Sequence, residues 1–366
     1  MLDCLIVGGG IMGMLSALRL ADAGCKVCVV ERGELGRESS WAGGGIVSPL
    51  YPWRYAHPVS VLAHWSQASY PVLGLRLMSL SGIDPEVYAT GLYWLDLDDH
   101  EQALSWASGL GVGLQVSPIG QVYQEVPALA RAFQRALWMP GAANVRNPRL
   151  LKALRHALGA HPRVDLQEHC EVQHLLIQAG RCVGLSTTQG SFYAQRTVVA
   201  GGAWSARWLT HLGHDLPVEP VKGQMILYKC ADDFLPSIVL AKGRYAIPRR
   251  DGHILVGSTL EHAGFDKTPT EEALASLKAS AEELLPGLAD AEVVGHWAGL
   301  RPGSPEGIPF IGEVPEYPGL WLNCGHYRNG LVLAPASCEL LKNLMLDEVP
   351  IIDPAPYAPA GRLGRL

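Results

Sequence analysis

Charge is scarce in this chain. Asp, Glu, Lys and Arg together make up 17% of its 366 residues, where soluble domains carry roughly 25%. With 29 basic against 35 acidic side chains the formal net charge is −6. That excludes nucleic acid or an anionic membrane as the main partner, since clustered positive charge holds both. Long apolar runs are missing too. The uncharged stretch Cys4 to Leu18 is broken by Gly8, Gly9, Gly10 and Gly13, too short and too glycine-rich for stable membrane insertion. Asp3 precedes it where a secretory signal carries positive charge, and no clear cleavage site follows, so it reads as a poor signal. The eight cysteines, at 4, 25, 28, 170, 182, 230, 324 and 338, form no dense framework, the usage of a cytoplasmic protein with reduced thiols. Internal repeats, HExxH and GxSxG are absent. His211 and His214 find no third ligand for a metal, and no Ser/His/Asp hydrolase pattern emerges.

Glycine is plentiful. Its 41 copies exceed the usual share of roughly 7%, and such a chain often lets a ligand approach its backbone closely. A hydrophobic fraction of 48% over 366 residues is ample for a large core and two domains.

The chain opens with an apolar run, Cys4–Val7, of the kind a buried parallel strand needs. Ile11, Met14, Leu15, Leu18 and Ala21 then repeat at helical spacing, Gly24 stands where a C-cap glycine belongs, and Val27–Val30 ends at Glu31. Together they make a β-α-β unit. Residues 147–158 predict a helix with Asn147 as N-cap and Pro148 at its first position. A strand pair follows at 171–177 and 181–187, turning at Ala179–Gly180. Residues 196–205 predict a strand breaking into a glycine turn, and 319–346 predict strand, turn and helix. Alternating patterns across 222–260 predict antiparallel strands. Thr268 as N-cap, Pro269 and Glu271 predict a capped helix whose stripe is Leu274, Leu277, Ala281 and Leu284, stopped by Pro286. The tail from Pro350 is expected to be loosely attached. The fold class is α/β combined with α+β: a discontinuous Rossmann-like, GxGxxG-containing domain (1–82, 142–216 and 298–366) with an inserted antiparallel-sheet substrate domain (83–141 and 217–297).

Gly8-x-Gly10-x-x-Gly13 lies between a strand and a helix. The first glycine allows the turn, the second lets a pyrophosphate approach, and the third lets helix and sheet pack. The helix N-terminus favours the phosphates, and Glu31 is placed to bond a ribose. The fingerprint leaves NAD and FAD both open. Ser39–Ser48 (SSWAGGGIVS) is a second glycine loop, readable either as a cofactor wrap or as a flexible loop. Arg301 stands among apolar neighbours and carries the planar fork suited to a carboxylate, though a structural ion pair would also place it there. Cys25-x-x-Cys28 lacks a thioredoxin context and reads as a pair of buried thiols.

CLIVGGGIMG with VVER at 31–32, ESSWAGGGI at 38–46, VVAGGAWS at 198–205, YAIPRRDGHILVGSTLE at 245–261, HWAGLRPGSPEGIPFIG at 296–312 and GHYRNGLVLAPAS at 325–337 run in order over nearly the whole chain. On these motifs it resembles the glycine-oxidase branch of the D-amino-acid oxidase family of flavoproteins. The resemblance implies non-covalent FAD at the first glycine turn (Gly8, Gly10, Gly13), with Ile11 and Met12 beside the pyrophosphate and Glu31 on the ribose. Arg32, Ser39, Ser40, Gly44, Gly45, Ile46 and Gly201 would line the cofactor, and Val172 would meet adenine through its backbone. His326, Tyr327, Arg328, Asn329, Gly330, Leu331 and Val332 would pass the isoalloxazine ring. Arg301 and Tyr245 would hold the substrate carboxylate, with Arg328 beside the flavin, and Cys324 would stay a free thiol.

By the same resemblance the reaction is oxidation of glycine, sarcosine or a small D-amino acid by hydride transfer from a neutral amine, without a protein base. The imine then gives glyoxylate and ammonia, and O2 gives hydrogen peroxide. Thiazole synthase in thiamine synthesis is the implied partner, and a homo-oligomer the implied assembly. Leu260, where some relatives carry Met, is expected to size the pocket. A D-amino-acid dehydrogenase passing electrons to a quinone is the alternative.

Overall fold

A computed structural model describes residues 2–366. Its first sheet is built on the expected β-α-β unit. The strand Leu2–Val7, buried at its apolar end, pairs in parallel with Val27–Val30 on one side and Gly190–Val199 on the other. Val164–Gln167 extends the first side and Leu320–Cys324 the second, both parallel. Phe310–Glu313 closes that edge antiparallel. The hairpin Val172–Gln178 and Arg181–Thr187 continues antiparallel from Gly190–Val199. The helices Ile11–Asp22, His57–Ser81, Asn147–Gly159 and Gly330–Met345 bury Leu15, Leu62, Leu154 and Leu341 against one face, as a parallel sheet requires.

The second sheet also has eight strands. Its order is Glu292–Gly303, Glu219–Lys229, His253–Gly257, Arg244–Pro248, Ile238–Ala241, Leu92–Leu95, Ala136–Met139 and Gln115–Ser117. All neighbours are antiparallel except Ile238–Ala241 with Leu92–Leu95. The period-two alternation of a strand sorts its side chains. Ala246, Ile226, Ile254 and Val256 pack with Leu277, Ala281 and Leu284 of the helix Glu271–Leu284. Tyr245, Ile247, Met225 and Leu255 face the other way, with Ile46 and Trp53. That second face meets the cofactor-side loops, so the functional cleft forms between the sheets.

Several expectations shift. The helix capped by a threonine begins at Glu271, and its cap is Thr270, whose hydroxyl accepts from the Ala273 N–H at 3.3 Å. Thr268 belongs to the turn before it: its N–H donates to Asp266, and its carbonyl accepts from Lys222. Asn147 is the first residue of its helix and not the cap, with Pro148 second; its side-chain amide is taken by the Ser40 carbonyl at 2.8 Å. The expected boundary at 298 falls inside the strand Glu292–Gly303, which pairs with Glu219–Lys229 as far as Gly303. The tail is docked, not loose. Tyr357 is 1% exposed and donates to the Pro58 carbonyl at 2.8 Å, and Gly364–Arg365 pairs with His214–Asp215.

Candidate active site

The strand Leu2–Val7 ends in a turn that only glycine can make. Gly8 has φ +103°, and a Cβ there would lie 2.6 Å from the Ala200 carbonyl oxygen. At Gly13 a Cβ would lie 1.9 Å from the carbonyl oxygen of Gly8, so the helix can sit this close to the turn only without a side chain. Gly13 therefore acts beneath the turn and does not line the cleft. Glu31 ends the second strand. Its carboxylate accepts from the N–H of Gly9 at 2.8 Å and of Gly33 at 2.9 Å, bracing the turn while leaving lone pairs for a ligand. Ser40 joins the two glycine loops, its hydroxyl accepting from the Ile11 N–H at 3.0 Å.

The second glycine loop is pinned, which rules out its reading as a flexible loop. Gly45 has φ +83°, and a Cβ there would lie 2.0 Å from the Val145 carbonyl oxygen. The Val145 N–H donates to the Gly45 carbonyl at 2.8 Å. Arg249, buried, reaches across from the second sheet to the carbonyls of Gly44 (2.7 Å) and Val145 (3.1 Å) and the Asn144 side chain. A Cβ on Gly44 would press on Ile247 at 2.9 Å and on the Tyr245 ring at 3.4 Å. The loop is thus a thin wall between the first sheet and Tyr245.

These elements border a cleft of about 1750 Å³, a volume that includes the open solvent at its mouth. Apart from Gly13 and Leu260, every residue assigned to the site from the sequence lines it. Val172, Gly201 and Arg32 lie along it with Trp204 and Arg207, and His326 to Val332 border it from the last parallel strand. Gly325, at φ +78°, turns the chain there. The helix Gly330–Met345 starts at the cleft, so its N-terminal dipole favours electron-rich groups inside. His326 lies 3.1 Å from the Ser337 hydroxyl, and burial pushes its pKa down to about 3, which keeps the imidazole neutral. Burial pushes the Cys324 thiol up to about 12, so it stays protonated. Two buried amide atoms on the wall, Asn147 Oδ1 and Asn329 Nδ2, have no partner within the protein.

Arg301 approaches from the strand Glu292–Gly303. Its side chain lies across Gly223 of the neighbouring strand, where a Cβ would fall 2.2 Å from both terminal nitrogens. Nη1 donates to the carbonyls of Lys222 (3.3 Å) and Thr259 (3.2 Å), and Nη2 donates to the Ser258 hydroxyl at 2.8 Å. A guanidinium has five N–H bonds; three are engaged, leaving Nε–H and one Nη2–H. No carboxylate pairs with it among the described residues. Burial, with Arg328 nearby, lowers its pKa, while the Tyr245 phenol opposes the shift. The structural ion pair is therefore excluded, and the site is a partly desolvated cation with two free donors. Tyr245, 6% exposed, lines the cleft close by.

Sequence reasoning missed Gly223, Ser258, Arg249 and Asn147, which reach the site only through strand register and long-range packing. Leu260 was misread. It is 48% exposed and lies off the cleft wall, where Met225 stands instead. Cys28 is buried with its thiol pushed up to about 12 by burial, and it forms no disulfide with Cys25. Among the described residues no His/Cys/Asp/Glu group could hold a metal, and no helix is long and apolar enough to cross a membrane.

Comparison with known proteins bears on the cofactor. Residues 3–344 match the family model DAO, described as FAD dependent oxidoreductase. The chain is 64% identical over 359 residues to a glycine oxidase of Pseudomonas putida, covering 98% of each. It is 31% identical over 353 residues to a bifunctional ThiO/ThiG protein of Synechocystis, covering 94% of this chain and 52% of that one. The crystal structure of glycine oxidase from Geobacillus kaustophilus superposes with a TM-score of 0.92 at 32% identity, over 98% of both chains.

Proposed function

The chain belongs to the DAO family of FAD-dependent oxidoreductases, and from that premise we propose that it oxidises glycine, and with it sarcosine or small D-amino acids. The reaction is glycine, water and O2 to glyoxylate, ammonia and hydrogen peroxide. The cleft suits FAD: Gly8 and Gly45 turn at positive φ and leave bare backbone at its wall, Glu31 braces the first turn with lone pairs to spare, and the helix Ile11–Asp22 begins there. When bound, FAD supplies the two-electron acceptor for the substrate Cα–H and passes the electrons to O2.

The observation that carries this reading is the half-buried, acid-free Arg301 beside Arg328 and Tyr245. Nε–H and Nη2–H of Arg301 would take the substrate carboxylate, and the Tyr245 hydroxyl would share it. Arg328 would add positive charge to the same end of the cleft. Two guanidiniums disfavour an ammonium nearby and so promote the neutral amine that oxidation needs. The carboxylates on the cleft wall, Glu31, Glu34, Glu38 and Glu171, come from the first-sheet loops with the dinucleotide turn, and His326 is neutral and engaged with Ser337. Positioning and electrostatics are thus the protein's contribution.

The Synechocystis fusion supports thiazole synthase as partner and thiamine synthesis as context, and eight free cysteines support a reducing, cytoplasmic setting. Exposed Val72, Leu75 and Met78 on one helix support a homo-oligomer. The test is turnover of glycine, sarcosine, D-alanine and D-proline by the yellow holoenzyme under air, with peroxide measured. Amine consumption without peroxide would replace the oxidase reading with a dehydrogenase that uses another acceptor.

A further inference from the structure

We propose that Ser258 is a third ligand for the substrate carboxylate. The idea rests on the amine-oxidase reading above and names a residue that the family motifs did not single out.

Residues from three strands of the second sheet converge on one spot. Tyr245 pairs in register with Gly257, the residue before Ser258, and a Cβ on Gly257 would lie 2.9 Å from the Tyr245 hydroxyl. Arg301 reaches the same spot from two strands away, because Gly223 leaves the intervening strand bare. Ser258 is 7% exposed, and it lines the cleft.

A serine hydroxyl has one donor and two acceptor lone pairs. Ser258 Oγ accepts from Arg301 Nη2 at 2.8 Å, which uses one lone pair and turns the O–H away from the guanidinium. That O–H has no acceptor among the described residues, although carbonyls crowd nearby. Lys222 and Thr259 present theirs to Arg301, and the Ser258 carbonyl itself accepts from Arg244. The free hydroxyl proton and the two free Arg301 donors therefore border the same space. An incoming carboxylate takes two donors from the guanidinium, one from Tyr245 and a fourth from Ser258. A carboxamide of the same size offers only one good acceptor and leaves part of the set unpaired, so the trio favours a carboxylate over its neutral isostere.

The serine also holds Arg301 in place, so the test must separate the two roles. Holoenzymes of wild type, Ser258→Ala and Ser258→Thr are compared for glycine KM and kcat, and for glycolate binding read from the flavin absorption spectrum. Sulfite binding and FAD retention serve as controls for the cofactor site. Ser258→Ala is expected to raise glycine KM and glycolate Kd about tenfold, the size carried by a hydrogen bond to a charged group, while kcat moves much less and the controls stay constant. Ser258→Thr, which keeps the hydroxyl, is expected to recover most of the glycolate affinity. Unchanged glycolate binding in Ser258→Ala would overturn the proposal. So would parallel loss of kcat, sulfite binding and FAD retention, which marks a purely structural role. Failure of the parent reading looks different: wild type itself would not turn over glycine, whatever stands at 258.

Discussion

Arg249 and Gly44 are joined across the two sheets, Nη2 of the buried arginine lying 2.7 Å from the glycine carbonyl oxygen. The same guanidinium holds the Val145 carbonyl and the Asn144 side chain. Burial lowers its pKa to about 10, so it is still charged at neutral pH. Arg249→Met strands three buried acceptors, and we expect a loss of about 3 kcal/mol or more in urea unfolding of the holoenzyme. Arg249→Lys should recover less than half, because one ammonium cannot span the fork. Unchanged unfolding midpoints in both variants would remove Arg249 as the tie between the sheets.

Arg301→Ala is expected to weaken substrate binding by at least about tenfold, or ~1.4 kcal/mol. Arg301→Lys restores charge but not the paired donors, and its carbonyl acceptors on Lys222 and Thr259 go partly unserved. Glycine KM should therefore remain well above wild type. Steady-state kinetics with peroxide readout decides this, and a lysine variant with native KM would argue that charge alone suffices.

Gly13→Ala should yield colourless, poorly folded protein, since its methyl would overlap the Gly8 carbonyl oxygen at 1.9 Å. Gly113→Ala is the control, because a Cβ there meets nothing within 4 Å. Bound flavin per chain, read from visible absorption, separates them. A fully yellow Gly13→Ala protein would mean that the turn tolerates displacement.

His326 sets an acid limit. Its pKa in the fold is about 3, against an ordinary value of about 6.5. Between those values the unfolded chain binds a proton that the fold refuses, so stability rises with pH and is lost as pH falls below about 6.5. The slope contributed is at most about 1.4 kcal/mol per pH unit. His326→Gln should flatten urea-derived stability between pH 6.5 and 4.5, and an unaltered slope would place the acid sensitivity elsewhere.

Local chemistry made part of this molecule legible from its residues alone. The Gly8–Gly13 turn, Glu31 and the first β-α-β unit are written within thirty-one residues, because turn, helix and acid act on each other at short range. Arg301 could be suspected from its apolar neighbours, but its freedom from acids could not. That depends on Gly223, Ser258 and the Thr259 carbonyl, brought beside it by pairing between distant strands. Arg249 reads as one of two adjacent arginines in a polar turn, and only packing distinguishes it from exposed Arg250. Thr268 and Thr270 both satisfy a cap pattern. The choice between them is made by Lys222 and Gln224, which hold Thr268 O and Thr270 N from the neighbouring sheet. Leu260 was placed by analogy, and its side chain turned out to face solvent.

The first sheet takes its central strand from Leu2–Val7 and the neighbour of Gly190–Val199 from residues 320–324. On a ribosome adding roughly 5–20 residues per second, the opening turn emerges early and waits roughly twenty seconds to a minute for the strand and helix that close its cleft. For the later part of that interval the Thr197–Val199 edge of the sheet has no native neighbour. Newly made chains should therefore depend on chaperones until the last helix is released, and truncation before Gly330 should leave an aggregating fragment and not a smaller flavoprotein.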